Sequence, residues 1–190
     1  MVFLSDLIKV AISKPRNEAA STNVSDSAIT SILEFLDEEI TAPTANETWH
    51  YLSTDLLSRT CSIRLRVLDI IDVLFNRYDR FRELVAENSN INIIARSAGL
   101  IKTLDSSRIP LEESKQLEEK VKGLIELWDY QYGVEFPHIH SLKKYLTETR
   151  HLKMPNIVVF KFNSIAYRSC SCAIHPYHLI FRYTRKRRKS

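Results

Sequence analysis

The sequence predicts an all-α domain with a chemically distinct tail, and three observations carry that reading. Only three glycines, Gly99, Gly123 and Gly133, occur in 190 residues. That scarcity argues against Gly-rich phosphate loops and against turn-rich β folds. Apolar residues recur at helical spacing through most of the first 150 positions. The charge then shifts abruptly: residues 1–148 hold all 23 acids against 17 Lys and Arg, a net charge of −6, whereas residues 149–190 hold ten Lys and Arg and no acid. We therefore divide the chain into a helical domain, residues 1–154, and a divergent aromatic and basic tail, residues 155–190.

The elements follow in order. A first helix from Phe3 to Ser13 buries Leu4, Leu7, Ile8 and Ala11 and stops before Pro15. A second, capped by Ser25 or Asp26, carries Ile29, Ile32, Leu33, Leu36 and Ile40, and Pro43 marks its end. Thr44 caps a third with Trp49, Leu52, Leu56 and Leu57 on its inner face. The stretch from Ser62 to Val85 is the centre of the core. Ile63, Val67, Ile70, Ile71, Leu74 and Phe75 form a stripe that Leu65, Leu68 and Val73 extend round the cylinder, so this helix needs neighbours on several sides. Its charges, Arg64, Arg66, Asp69, Asp72 and Arg77, are expected on a narrow polar side or at the ends, where their heads reach water. After a break at Asn76 to Asp79, the residues Phe81, Leu84 and Val85 form a short helix folding back on the first.

Residues Ile91 to Leu104 predict a further helix or helix pair in which Gly99 is a cost. Pro110 with Glu112 and Glu113 opens the next helix, whose stripe is Leu117, Val121, Leu124, Ile125, Trp128 and Tyr132. Glu118 and Lys122 are spaced to pair across one turn, and Gly133 stands where a C-terminal cap belongs. A last helix, Ile139 to Leu152, buries Leu142, Tyr145 and Leu146. Beyond Pro155 the β-branched and aromatic runs have no helical period, and the chain ends in Arg185-Lys186-Arg187-Arg188-Lys189.

No phosphate-loop, dinucleotide, zinc-protease or nucleophile-elbow motif is present, which argues against an enzyme, a small-molecule substrate or a cofactor. Cys170, Cys172, His175 and His178 supply a zinc-compatible ligand set, but nine residues crowd all four without a glycine to relieve the turns. His138, His140 and His151 read as surface or capping residues. Three sparse cysteines predict a reducing compartment, and no run reaches the length of a membrane span. The terminal basic run reads first as a nuclear import signal, and the acidic body offers no broad basic face for sequence-specific nucleic-acid binding. Arg64, Arg77, Arg80 and Arg82 are the candidate exposed partner contacts, because arginine is enriched at interface hot spots. The alternative is ordinary pairing with Asp72, Asp79 or Glu83.

Three segments, Ser62-Ile63-Arg64-Leu65, Ile70 to Arg77 and Phe81-Arg82-Glu83-Leu84-Val85, together with the later Leu127-Trp128-Asp129-Tyr130-Gln131-Tyr132-Gly133, resemble the N-terminal VHS-like domain of the UV-stimulated scaffold protein A family. The motif positions are Ile63, Leu65, Leu74, Phe75, Phe81, Leu84, Val85, Trp128, Tyr132 and Gly133. The resemblance covers about residues 1–154. It implies a right-handed superhelix of about eight helices, as in ENTH and VHS domains. It also implies a nuclear, chromatin-associated scaffold in transcription-coupled nucleotide excision repair that docks to the Cockayne syndrome A protein at stalled RNA polymerase II. Recruitment of a deubiquitinase and of the repair factor TFIIH belongs to later regions of that family, which this chain replaces with its own tail. Two sister functions compete: a domain binding the phosphorylated C-terminal repeats of RNA polymerase II, and an endosomal VHS adaptor recognising sorting signals or ubiquitinated proteins.

Overall fold

The computed structural model describes residues 3–13, 27–38, 40–58, 60–101 and 111–155. Among them are eight α-helices and no strand: α1 (Leu4–Ser13), α2 (Ser27–Glu38), α3 (Ala42–Leu56), α4 (Cys61–Arg77), α5 (Asp79–Val85), α6 (Asn88–Ser97), α7 (Leu111–Tyr132) and α8 (Pro137–Lys144), with a π turn at Tyr145–Thr149. The expected all-α class stands; the tail lies outside the described residues. No helix among the described residues is long and apolar enough to cross a membrane.

Helix α4 is the hub. Leu65, Val67, Leu68, Ile70, Ile71, Leu74 and Phe75 are all buried, and the helix packs against α1, α3, α5 and α7. The expected narrow polar side is absent: Arg66 and Asp72 are buried at 7% and 2% exposure. A helix with neighbours all round has no wet face to give its charges, so they must find partners inside. Ile63 and Leu84 are half-buried against the same core, while Phe81 and Val85 are fully within it. The short helix α5 touches α3, α4 and α6, and α8 closes the stack against α6 and α7.

Several helix ends differ from the sequence expectation for reasons of capping. Thr41, not Thr44, is the N-cap of α3: its hydroxyl accepts the Thr44 N–H at 3.3 Å. Pro43 therefore sits in the first turn of α3, where a missing N–H costs nothing, and does not terminate α2. Leu57 lies one residue past α3 and is 57% exposed rather than inward. Gly99 is no cost to α6 because it follows the helix. At φ 71° it occupies the left-handed position, with its N–H bonded to the Arg96 carbonyl at 2.9 Å and that of Leu100 to the Ala95 carbonyl at 3.0 Å, the paired closure of a Schellman turn. Leu100 is buried behind it.

Helix α7 matches its predicted stripe, with Leu117, Val121, Leu124, Ile125 and Trp128 buried and Tyr132 half-buried against the core. Lys122 bonds Glu118 and Glu119 at 2.9 and 2.6 Å. Gly133 closes α7 through its N–H to the Asp129 carbonyl at 2.8 Å, but not by a left-handed backbone. Its need for glycine is space, since a Cβ there would sit within 2.5 Å of that carbonyl and collide with the Asp129 carboxylate. The last helix is shorter than predicted. At the π turn the ladder slips by one residue. Tyr145, expected inside, is 40% exposed, while Leu146 keeps the buried place. Leu152 and Met154 rest half-buried against the core.

Candidate functional site

The conserved-looking chemistry of a scaffold lies in what its surface offers, so the first question is which of the candidate contact residues reach that surface. Arg82 does not. It is 9% exposed, its Nε donates to the Phe75 carbonyl at 2.9 Å, and its Nη2 donates to the Asn76 carbonyl at 3.2 Å. These are last-turn carbonyls of α4 that the helix itself leaves unpaired. The guanidinium also lies 4.2 Å from the Tyr132 ring centroid, and Nη1 reaches Asp79 at 2.8 Å. Arg82 thus joins the end of α4 to α5 and to the last turn of α7.

Arg64 is likewise half-buried. It bonds the Ser58 carbonyl and, at 2.6 Å, the Ser97 carbonyl, bolting the α3–α4 connection to the end of α6. Burial pushes its guanidinium below the usual value, against the opposing influence of Cys61. Arg77 pairs with Asp37 of α2, and Tyr78 donates to the same carboxylate and to the Leu33 carbonyl. Burial raises the Asp37 pKa, but the Tyr78 and Arg77 hydrogen bonds and the Arg77 charge outweigh it and hold the carboxyl below its ordinary value. Arg80 alone of the four projects outward, its side chain 67% exposed and 3.3 Å from Glu83. The expected alternative pairings, Arg82 with Asp79 and Arg80 with Glu83, are both present.

Beneath these residues Trp128 stacks on Phe75 with centroids 4.1 Å apart and planes 16° apart, and Tyr132 meets the Phe75 edge at 5.7 Å. The Trp128 indole N–H donates to the buried Asp72 Oδ1 at 3.0 Å, which also accepts from Asn76 at 2.9 Å. Burial drives the Asp72 pKa upward, with Lys120 and the two hydrogen bonds opposing it. The sequence motifs Ile70 to Arg77, Phe81 to Val85 and Leu127 to Gly133 therefore meet at one place, the junction of α4, α5 and α7. This junction is internal framework, and Asp72 was the member that periodicity missed. A buried indole needs an acceptor, which is the signal that could have found it.

The surface candidate is the α7–α8 end. Lys143 of α8 bridges Glu126 and Asp129 of α7 at 2.9 Å each, and His140 meets Asp129 at 2.9 Å. Burial alone would lower the Lys143 pKa, but the two carboxylates outweigh it and raise it. Around this clasp the backbone departs from regularity: the π turn follows directly, and His151 takes a left-handed φ of 52°. Glu126 Oε2 is buried with no hydrogen-bond partner among the described residues. Such departures concentrate at functional sites. Tyr130 and Val134, one turn apart, are 58% and 98% exposed here, and Tyr145 flanks the π turn. His138, His140 and His151 are exposed, as expected. Among the described residues no group of three or more His, Cys, Asp or Glu could hold a metal, and Cys170, Cys172, His175 and His178 lie outside them.

A family model described as the UVSSA N-terminal domain matches residues 24–150, from just before α2 to the end of the π turn. No curated protein matches the chain.

Proposed function

The chain belongs to the UVSSA N-terminal domain family, and from that premise we propose that it is a non-enzymatic scaffold of transcription-coupled nucleotide excision repair that docks to the Cockayne syndrome A protein at stalled RNA polymerase II. The family is of the scaffold type and its theme is UV-stimulated repair. The observation that carries the reading is the match over 24–150, which takes in seven of the eight helices. We assign the docking face to the α7–α8 end, where exposed Tyr130, Val134 and Tyr145 lie near His140 and Lys144. Exposed aromatics set among polar neighbours are the composition of protein–protein hot spots. Arg80 is the one arginine of the original four retained as a surface contact. The run Arg185 to Lys189 directs the chain to the nucleus and chromatin. Recruitment of a deubiquitinase and of TFIIH is not carried over to this chain.

The test is a titration of the full chain against the Cockayne syndrome A protein, with a phosphorylated polymerase-repeat peptide and monoubiquitin in parallel. Saturable binding to the first alone, weakened about tenfold by Tyr130→Ala or Tyr145→Ala, is the expected result. Each such truncation at a hot spot costs about 1–2 kcal/mol. Binding to the phosphopeptide alone would replace this reading with the polymerase-repeat one, and binding to ubiquitin alone with the adaptor one.

A further inference from the structure

Helix α1 differs from the rest of the stack. It buries Leu4, Ile8, Ala11 and Ile12 against α2, α3 and α4, yet its opposite side carries Phe3 at 59% and Val10 at 54% exposure. A helix apolar on two faces is suited to more than one set of neighbours. It is tied to α2 only through residues 14–26, a polar stretch of sequence, and the family match begins downstream of it at residue 24. Under its C-terminal turn lies a buried cation: Arg66 of α4, 7% exposed, donates through Nε to the Ala11 carbonyl at 3.0 Å. The groove on α2, α3 and α4 thus has two recognition elements, apolar sockets at i, i+4, i+7 and i+8 and a guanidinium where the occupant's last carbonyls fall.

We propose that α1 is an exchangeable occupant of this groove, and that the groove also accepts an amphipathic helix of a partner protein with the same apolar spacing and a carboxylate in its final turn. A carboxylate bonds a guanidinium more strongly than a carbonyl does, so such a helix outcompetes α1 at Arg66. The tether keeps α1 at a millimolar effective concentration, which lowers the apparent affinity of any competitor in proportion. Engagement therefore requires either a tight partner or a loosened α1.

The probe is a labelled peptide of residues 3–13, made with a free C-terminal carboxylate or amidated, titrated into the full chain. The free acid is expected to bind about tenfold tighter than the amide at low salt, and Arg66→Met in the full chain to erase that difference. Leu4→Ala loosens the resident helix and should raise peptide affinity about tenfold. Ala11→Gly is the milder second variant, with an expected gain of about fivefold from its helix propensity alone. Near-ultraviolet circular dichroism from the Phe75–Trp128 pair reports whether the rest of the domain stays folded. In hydrogen exchange, α1 amides should open about a hundredfold more readily than those of α4. Equal protection of α1 and α4, peptide affinity unmoved by either cis variant, or no difference between acid and amide would overturn the proposal.

Discussion

Replacing Arg82 with methionine tests whether this arginine is framework or contact surface. Methionine keeps the aliphatic stem and removes the guanidinium. Two hydrogen bonds from a charged donor disappear, those to the Phe75 and Asn76 carbonyls, and each is worth about 1.5–3 kcal/mol net when buried. The stacking on Tyr132 adds about 1–2 kcal/mol where the cation is desolvated, as here. The Asp79 pair contributes little, because that carboxylate is 85% exposed and water screens it. These contributions overlap, since one side chain makes them all. The working expectation is a loss of about 3–4 kcal/mol, consistent with breaking a buried polar network. For a domain of this size that lowers Tm by about 6–14 °C. Arg82→Lys keeps a charge above Tyr132 but cannot reach both carbonyls, and should lose about half as much. Arg80→Met is the control, with a change of about 0.5 kcal/mol or less, as for an exposed pair. Urea unfolding followed by Trp128 fluorescence and circular dichroism measures all three. Indistinguishable stabilities for the Arg82 and Arg80 variants would refute the assignment of Arg82 to the interior.

Asp72→Asn keeps an oxygen for Trp128 and Asn76 but carries no charge. Because burial raises the Asp72 pKa, the native state holds its proton more tightly than the unfolded chain, so wild-type stability falls as pH rises from about 4 through the native pKa and is then flat. The Asn variant should lack that fall and be at least as stable at pH 7, whereas Asp72→Leu should lose about 1–3 kcal/mol by stranding the indole N–H. The check is urea unfolding from pH 4 to 7. Tyr78→Phe removes the phenol bonds to Asp37 and the Leu33 carbonyl and should cost about 1 kcal/mol. Since the Asp37 pKa is lowered, its contribution is present above about pH 4 and is lost as pH falls through the native value, a dependence the Phe variant should reduce. Gly133→Ala should destabilise by about 1–3 kcal/mol through collision with Asp129, and Gly99→Ala by about 1–2 kcal/mol through its left-handed backbone, both read from thermal midpoints.

Which features were legible in the sequence follows from how each is encoded. Stripes at helical spacing encode packing directly, so α1, α4, α5 and α7 stand where the apolar residues put them. Caps are encoded by one or two residues with competing readings. Thr41 and Thr44 are both cap-competent, and only the chain's path shows that Thr41 bonds the Thr44 N–H while Pro43 lies between them. Gly99 and Gly133 each occupy a helix end, yet one answers to backbone angle and the other to side-chain space. Tertiary polar partners are hardest, because Arg66 finds a carbonyl 55 residues away and Asp72 an indole 56 away. No local pattern contains such pairs. The π turn is equally silent, since its residues Tyr145 to Thr149 continue a helical period without marking the slip.

The arginines show where a plausible inference from composition fails and what replaces it. Enrichment of arginine at interfaces reflects its reach and its five donors, and the same properties suit it to closing helix ends inside a stack of short helices. Such a stack multiplies unpaired last-turn carbonyls. In this chain Arg64, Arg66 and Arg82 each donate to a carbonyl at or near the end of a helix: Ser58 and Ser97, Ala11, and Phe75 with Asn76. An arginine on a helix whose other faces are apolar is therefore better read first as a fastener for a neighbouring helix end. By that criterion Arg80, which meets only Glu83 on its own helix, stays on the surface. The docking energy of the scaffold then falls to exposed aromatics, and the two tyrosines beside the α7–α8 clasp become the residues whose truncation should weaken binding without loosening the fold.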